Sequence, residues 1–309
     1  MTHAPVAGGA ARAFSKRGAE LIMIIAAVCW STGGLFVRQL SITNPWEIVF
    51  WRSLFMSLFV AGVLVVMHGR AMPRAVRAAG VPGVAAGLLL AGTFFFFIGS
   101  ITRTTVANTF VLMSVSPFLA AIAGWIILRE RVPLRTWVAI AIAFVGILVM
   151  FGGAADAGQA TGNVLALGVS VCFAAQLMVL RKFHASVDML PMVLIAGLWS
   201  LVPAFLFAGP FTASARDLAV LAVMGCIQLG TGCLLATAAS RTLSATELSL
   251  LGLLEPILGP LWVWALMGEK PGPAALTGGA IVLGAVIANQ LLAAWRGRPA
   301  PGDAPLPGP

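Results

Sequence analysis

Charge is scarce in this chain. Charged residues make up 9% of 309 positions, and apolar residues 60%. A soluble domain carries about 25% charged residues, so a chain this poor in charge cannot cover a water-facing surface. Cysteine is also sparse. Cys29, Cys172, Cys226 and Cys233 show no zinc spacing and no disulfide framework, and free, packed thiols are expected. The histidines, His3, His68 and His184, form no H-E-x-x-H pair. No G-x-x-x-x-G-K-[ST] phosphate loop and no nucleophile elbow occurs. These gaps argue against ATP drive within the chain and against a soluble or metal-dependent enzyme.

What the chain has is long apolar runs. Ten segments can each cross a bilayer: 20–37, 46–67, 79–101, 105–128, 135–152, 161–180, 191–209, 217–239, 245–267 and 273–294. Each approaches the about 20 residues that a helical span needs. The runs are continuous and do not alternate, which favours helices over barrel strands. The expected fold class is an all-α integral membrane protein of ten transmembrane helices.

The net charge of +9 is explained by topology and does not call for nucleic acid. With the N-terminus inside, fourteen of the nineteen Lys and Arg residues fall on cytoplasmic segments. Four fall outside, and Arg52 lies within a span. This bias puts both termini in the cytoplasm. Residues 1–19 and 297–309 read as disordered tails, the first basic and the second Pro-rich. The first apolar run has no convincing cleavage site and reads as a retained helix.

The chain also repeats itself. At an offset of 139 residues Pro117 meets Pro256, Trp125 meets Trp264 and Glu130 meets Glu269. At an offset of 143, Cys29 meets Cys172 and Arg38 meets Arg181. The expected halves are 20–152 and 161–294, each with five helices. An odd number per half makes the second copy enter from the opposite side, giving inverted repeats. That arrangement is a signature of alternating-access transporters, with the site between the halves near the midplane.

Three stretches together resemble the drug/metabolite transporter superfamily, in its ten-helix EamA-like branch. They are LLEPILGPLWVWALMGEKPGPAALTGGAIVLG (253–284), SVSPFLAAIAGWIILRERVPLRTWVAIAIAFVG (114–146) and NPWEIVFWRSLF (44–55). The likeness covers about residues 20–294. Ala139 and Ala285 stand where the family often has glycine. The resemblance implies a central cavity lined by helices 1, 3, 4, 6, 8 and 9.

Glu255 is the leading candidate site residue. It lies about seven residues into its helix, roughly 10 Å deep. A charge there costs about 2.5–3.5 kcal/mol on insertion scales and usually faces a cavity or a partner. Substrate contact or proton coupling stands against a second reading, a structural acceptor beside the backbone break at Pro256. Trp30, Asn108, Gln176, Gln228 and Trp262 are the other cavity candidates, with helix–helix hydrogen bonding as the alternative for each. Glu130 and Glu269, at helix ends, and Pro117 and Pro256 read as structural. Arg52 is expected to pair with a carboxylate or reach for the interface. The run Phe94–Phe97 is expected to face lipid or pack, with part of it available to wall a cavity.

The expected function is secondary active transport, chiefly export of small metabolites such as amino acids, with proton coupling through Glu255 as an option. An uptake or exchange carrier is the alternative; a membrane-embedded enzyme or a channel is the alternative of another class. No cofactor is expected. The expected partners are a small-molecule substrate and the lipid bilayer of a bacterial inner membrane, with a homodimer left open.

Overall fold

The computed structural model describes residues 15–153, 157–182, 189–240, 242–243 and 245–295. Ten helical spans carry the chain: Lys16–Val37, Pro45–Ala78, Gly80–Ile101, Val106–Ile127, Leu134–Gly152, Gly158–Lys182, Leu190–Ala208, Ala215–Ser240, Glu247–Met267 and Pro273–Trp295. They are called spans 1 to 10 below. Every described element is helical. Helix begins at Lys16, capped by the Ser15 side chain, so residues 16–19 are helical where a tail was expected. Residues 1–14 and 297–309, the rest of the expected tails, lie outside the described residues.

Large apolar side chains turn outward on span after span, including Val66, Val138, Phe144, Val202, Leu206 and Leu266. In a bilayer such residues face lipid tails that are as apolar as they are. Helix association then depends on close backbone approach and on polar contacts. Spans 5 and 10 show the first. A Cβ on Gly146 would stand 2.7 Å from the Gly278 carbonyl, and one on Gly278 2.5 Å from the Gly146 carbonyl. Exchange of the halves carries Gly146 to Ala285 and Gly278 to Ala139, and both alanines are buried. Thr136 Oγ1, donating to Asn289 Oδ1 at 3.0 Å, adds a polar tie between the same two spans.

The other pairings follow the same exchange. Span 3 packs on span 6 as span 8 packs on span 1. Span 3 packs on span 7 as span 8 packs on span 2. Spans 2 and 7, 4 and 9, and 5 and 10 each pack on their own counterpart.

Three of the interruptions along the spans bear on the site. Span 4 breaks between Met113 and Ser116, and span 9 breaks at Leu253. These breaks sit at repeat-related places, just before Pro117 and Pro256. Each proline falls in the first turn of the new helical segment, where its missing N–H costs little. Pro117 leaves the Met113 carbonyl without its helical donor. Ser170 of span 6 supplies one, donating to Met113 O at 2.9 Å and Leu112 O at 3.0 Å. The repeat-related position to Ser170 is Ala27, which has no hydroxyl. Span 8 contains a π-helical stretch, Met224–Thr231, whereas span 3, its counterpart, is regular α-helix. The two halves therefore share a framework and differ around Glu255 and Gln228.

Candidate functional site

Glu255 stands on the inward face of span 9, one turn before Gly259 and two before Trp262. Ile257, Leu261 and Trp264 occupy the outward face and are exposed. The carboxylate is half-buried. Among the described residues it accepts no hydrogen bond and forms no ion pair.

Trp30, Gln228 and Trp262 are tied together on spans 1, 8 and 9. Gln228 Nε2 donates to the Trp30 carbonyl at 3.2 Å, and Trp262 Nε1 donates to Ser31 Oγ at 2.9 Å. The Trp30 indole nitrogen lies over Gly232 of span 8. Phe110 of span 4 covers Gly259, where a Cβ would come within 2.6 Å of the ring. Spans 1, 4, 8 and 9 thus converge on one region between the halves. Gly259→Val is expected to drive into the Phe110 ring, costing about 1–3 kcal/mol of stability as overpacking does and abolishing transport. Melting in detergent and a transport assay on the same preparation check both effects.

Two expected cavity residues lie elsewhere. Asn108 is buried in the first turn of span 4, donating to Asn163 Oδ1 at 3.0 Å and Thr104 Oγ1 at 3.2 Å. Gln176 of span 6 donates to Met192 Sδ at 3.3 Å. Both make helix–helix contacts, and Asn108 also lines a cavity with Thr105, Met150 and Gln159.

Arg52 meets no carboxylate among the described residues and stays buried. It is 2% exposed, with its guanidinium carbon 5.1 Å from the Phe94 ring centre and 5.9 Å from that of Phe97. Phe94 and Phe97 are accordingly buried, and lipid does not touch them. Cation–π contacts of this kind contribute about 2 kcal/mol when desolvated. Glu47, one of the acids near Arg52 in sequence, is fully buried and otherwise engaged. It accepts from Thr212 N, Thr212 Oγ1 and Ala213 N at 2.8–2.9 Å.

Glu130 and Glu269 do more than end helices. Arg38 Nε meets Glu269 Oε2 at 2.7 Å, and Arg181 Nη2 meets Glu130 Oε1 at 2.9 Å. Both arginines are repeat partners, and so are both glutamates. Each half therefore holds the other through the same ion pair, once at each end of the helical bundle. The Arg38 pair is the more heavily braced. Arg38 also donates to Ile101 O at 2.8 Å and Thr104 O at 2.9 Å, and Glu269 Oε1 accepts from Val106 N at 2.8 Å. Arg181 adds one longer bond to Glu130 Oε2, at 3.3 Å. Sequence reading matched these residues as repeat partners but could not join them across the halves.

Ten spans in two similar sets, meeting at a polar group in the bilayer interior, define an integral multi-pass membrane protein of the transporter class. Family comparison makes this specific: the EamA-like transporter family matches residues 17–152 and again residues 160–289. The chain belongs to that family of transporters. Similar proteins include the pseudopaline exporter CntI of Pseudomonas aeruginosa strain UCBPP-PA14, 25% identical over 286 residues, covering 87% of this chain and 94% of the relative. CntI of strain PAO1 is 25% identical over 281 residues with the same coverage. A solved crystal structure superposes with a TM-score of 0.64 at 19% identity, covering 90% of this chain and 99% of its own. It supports the fold alone.

Proposed function

We propose that this protein is a secondary active exporter of small metabolites, amino acids or related solutes, working by alternating access between two inverted halves. The observation that carries the reading is the reciprocal pair of ion pairs. Arg38–Glu269 ties the halves at one membrane face and Arg181–Glu130 ties them at the other. Breaking one while keeping the other opens one face at a time, as two equivalent half-structures that exchange conformations require. Export as the direction draws on the relatives, which are named as exporters.

Glu255 is the coupling carboxylate in this reading. Protonated, it costs less in the bilayer interior and lets the empty site close. Ionised, it holds a cationic group of the solute. Proton exchange at Glu255 then links solute movement to the proton gradient. The location that follows is a bacterial inner membrane with both termini cytoplasmic, in line with the bias of Lys and Arg.

The test is the extracellular metabolite profile of cells overproducing the wild-type chain, against an empty vector and against Glu255→Ala at matched membrane levels. A solute enriched outside only with wild type supports export and a working Glu255. Depletion of a solute from the medium would replace export by uptake. Equal enrichment by wild type and Glu255→Ala would return Glu255 to a structural role.

A further inference from the structure

We propose that the hollow where span 4 hands over to span 5, beside the Arg181–Glu130 pair, binds the headgroup phosphate of an anionic phospholipid through Arg129 and Arg131. This goes beyond the exporter reading and does not depend on it.

A strained residue marks the place. Arg129 turns the chain out of span 4 with φ 54°, in the left-handed region that any residue with a Cβ disfavours. The repeat-related position, 139 residues on, is Gly268, which ends span 9 at φ 72°. The second half uses the residue that suits this turn, and the first half carries an arginine instead. No polar contact offsets the strain. Among the described residues the Arg129 side chain has no ion pair and no hydrogen bond, and it is exposed. The bias of Lys and Arg asks only for charge on this face, which a helical position would supply without strain. Strain of this kind points to function.

Arg129 lines an open hollow of about 680 Å³, within the range of about 300–1,000 Å³ that small-molecule sites occupy. Arg131 lines the same hollow. It too is exposed and has no ion pair or side-chain hydrogen bond among the described residues. Glu130 is the one acid on the hollow's wall, and both its oxygens meet Arg181, at 2.9 and 3.3 Å. Its charge is thereby offset, and the two arginines leave the hollow positive. Arg135, in the first turn of span 5, donates to Leu292 O at 2.9 Å instead. Two guanidinium forks on one space match the oxygens of a phosphate. Basic pockets at the ends of transmembrane helices bind anionic headgroups on this principle.

The rest of the wall identifies the source of the phosphate. Trp125 and Trp137 stand edge to face, 5.3 Å between ring centres, with Ile126 and Val132 beside them. Trp137 is a second departure from the repeat, since its counterpart is Leu276. Tryptophan favours the headgroup level of a bilayer. On span 5 the exposed Val138, Ile142 and Val145 follow one another on a single helix face. They carry apolar surface from the hollow toward the bilayer centre. A soluble phosphate ester would need the arginines alone. Arginines at the mouth, tryptophans at the headgroup level and an apolar strip below them suit a molecule with a charged head and acyl chains.

Native mass spectrometry of the purified full-length protein, titrated with phosphatidylglycerol or with phosphatidylcholine of the same chains, tests this. Wild type is expected to hold its first phosphatidylglycerol at least tenfold more tightly than phosphatidylcholine. Arg129→Gly combined with Arg131→Gln should lose tenfold or more in affinity for phosphatidylglycerol and keep that for phosphatidylcholine. Arg74→Gln combined with Arg77→Gln removes two exposed arginines from the end of span 2 and should change neither. Arg129→Gly alone should weaken phosphatidylglycerol binding and raise the melting temperature in lipid-free detergent, because glycine suits the left-handed turn. An arginine kept for folding predicts a lower melting temperature with lipid affinity unchanged, and that result would overturn the assignment. If the double variant fails to fold, Arg131→Gln against wild type decides. Equal affinity of wild type for the two lipids, or an equal loss from the Arg74 and Arg77 substitutions, would also overturn it. Binding of sn-glycerol 3-phosphate as tight as that of phosphatidylglycerol would do the same, by marking a site for soluble phosphate esters.

Discussion

Glutamine at position 269 is expected to open the face of the protein that carries Arg38, and glutamine at position 130 to open the opposite face. Each substitution keeps the shape of the side chain and removes the charge that the partner arginine meets. Hydrogen bonds to charged groups contribute about 1.5–3 kcal/mol net, and 1.4 kcal/mol is a factor of ten in a population. The side chains of both pairs are about a quarter exposed or less, so solvent screens them only in part. A shift of about tenfold follows for Glu269→Gln. A somewhat smaller one follows for Glu130→Gln, because among the described residues Arg181 holds only Glu130, whereas Arg38 also donates to Ile101 O and Thr104 O. The readout is the reaction rate of a single cysteine at position 108 with a membrane-impermeant maleimide, the native cysteines having been replaced. Position 108 lies behind the Arg38 pair through Thr104. The rate should rise in Glu269→Gln and fall in Glu130→Gln, and the exchange Arg38→Glu with Glu269→Arg should restore it in part. Equal changes in the same direction would contradict the gating assignment.

Glu255→Gln should separate function from stability. The carboxylate has no bond to lose among the described residues, and an in-span charge costs about 2.5–3.5 kcal/mol on insertion scales. Removing the charge should therefore leave the melting temperature in detergent unchanged or raised. Transport, in contrast, should fall at least tenfold, and what remains should no longer vary with pH. A structural carboxylate predicts the opposite: lower stability, with transport falling only as folded protein is lost. Melting and proteoliposome flux across pH 5.5–8, on one preparation, tell these apart.

Much of the fold was legible because the bilayer imposes it. Ten apolar runs of about 20 residues admit few other readings, and the expected span limits agree with the helices to within a few residues. One exception is span 2, where helix resumes after His68 and carries the second span on to Ala78. The breaks beside Pro117 and Pro256 were legible for a local reason, the missing N–H. The ion pairs were not. Arg38 and Glu269 are 231 residues apart, and only the packing of the halves brings them together. The same applies to Glu47, whose bonds to Thr212 and Ala213 come from a loop far along the chain. The π-helical stretch has no marker in Met224–Thr231 beyond its glycines. Among the candidate site residues, polarity within a span was a fair guide to burial and a poor one to role. Trp30, Gln228 and Trp262 are tied together across spans 1, 8 and 9, whereas Asn108 and Gln176 donate to other neighbours, Asn163 and Met192. Arg52 was the least legible, since nothing in NPWEIVFWRSLF reveals that its guanidinium lies over two rings and meets no acid among the described residues.

The most direct test of alternating access is a pair of distance distributions in lipid, measured by pulsed electron paramagnetic resonance between spin labels. One pair sits at positions 39 and 270, beside Arg38 and Glu269. The other sits at 131 and 182, the repeat-related positions beside Glu130 and Arg181. The account predicts two distances for each pair, with opposite responses. Glu269→Gln should lengthen 39–270 and shorten 131–182, and Glu130→Gln should do the reverse. A single distance at each face, unmoved by either substitution, would contradict alternating access between the halves.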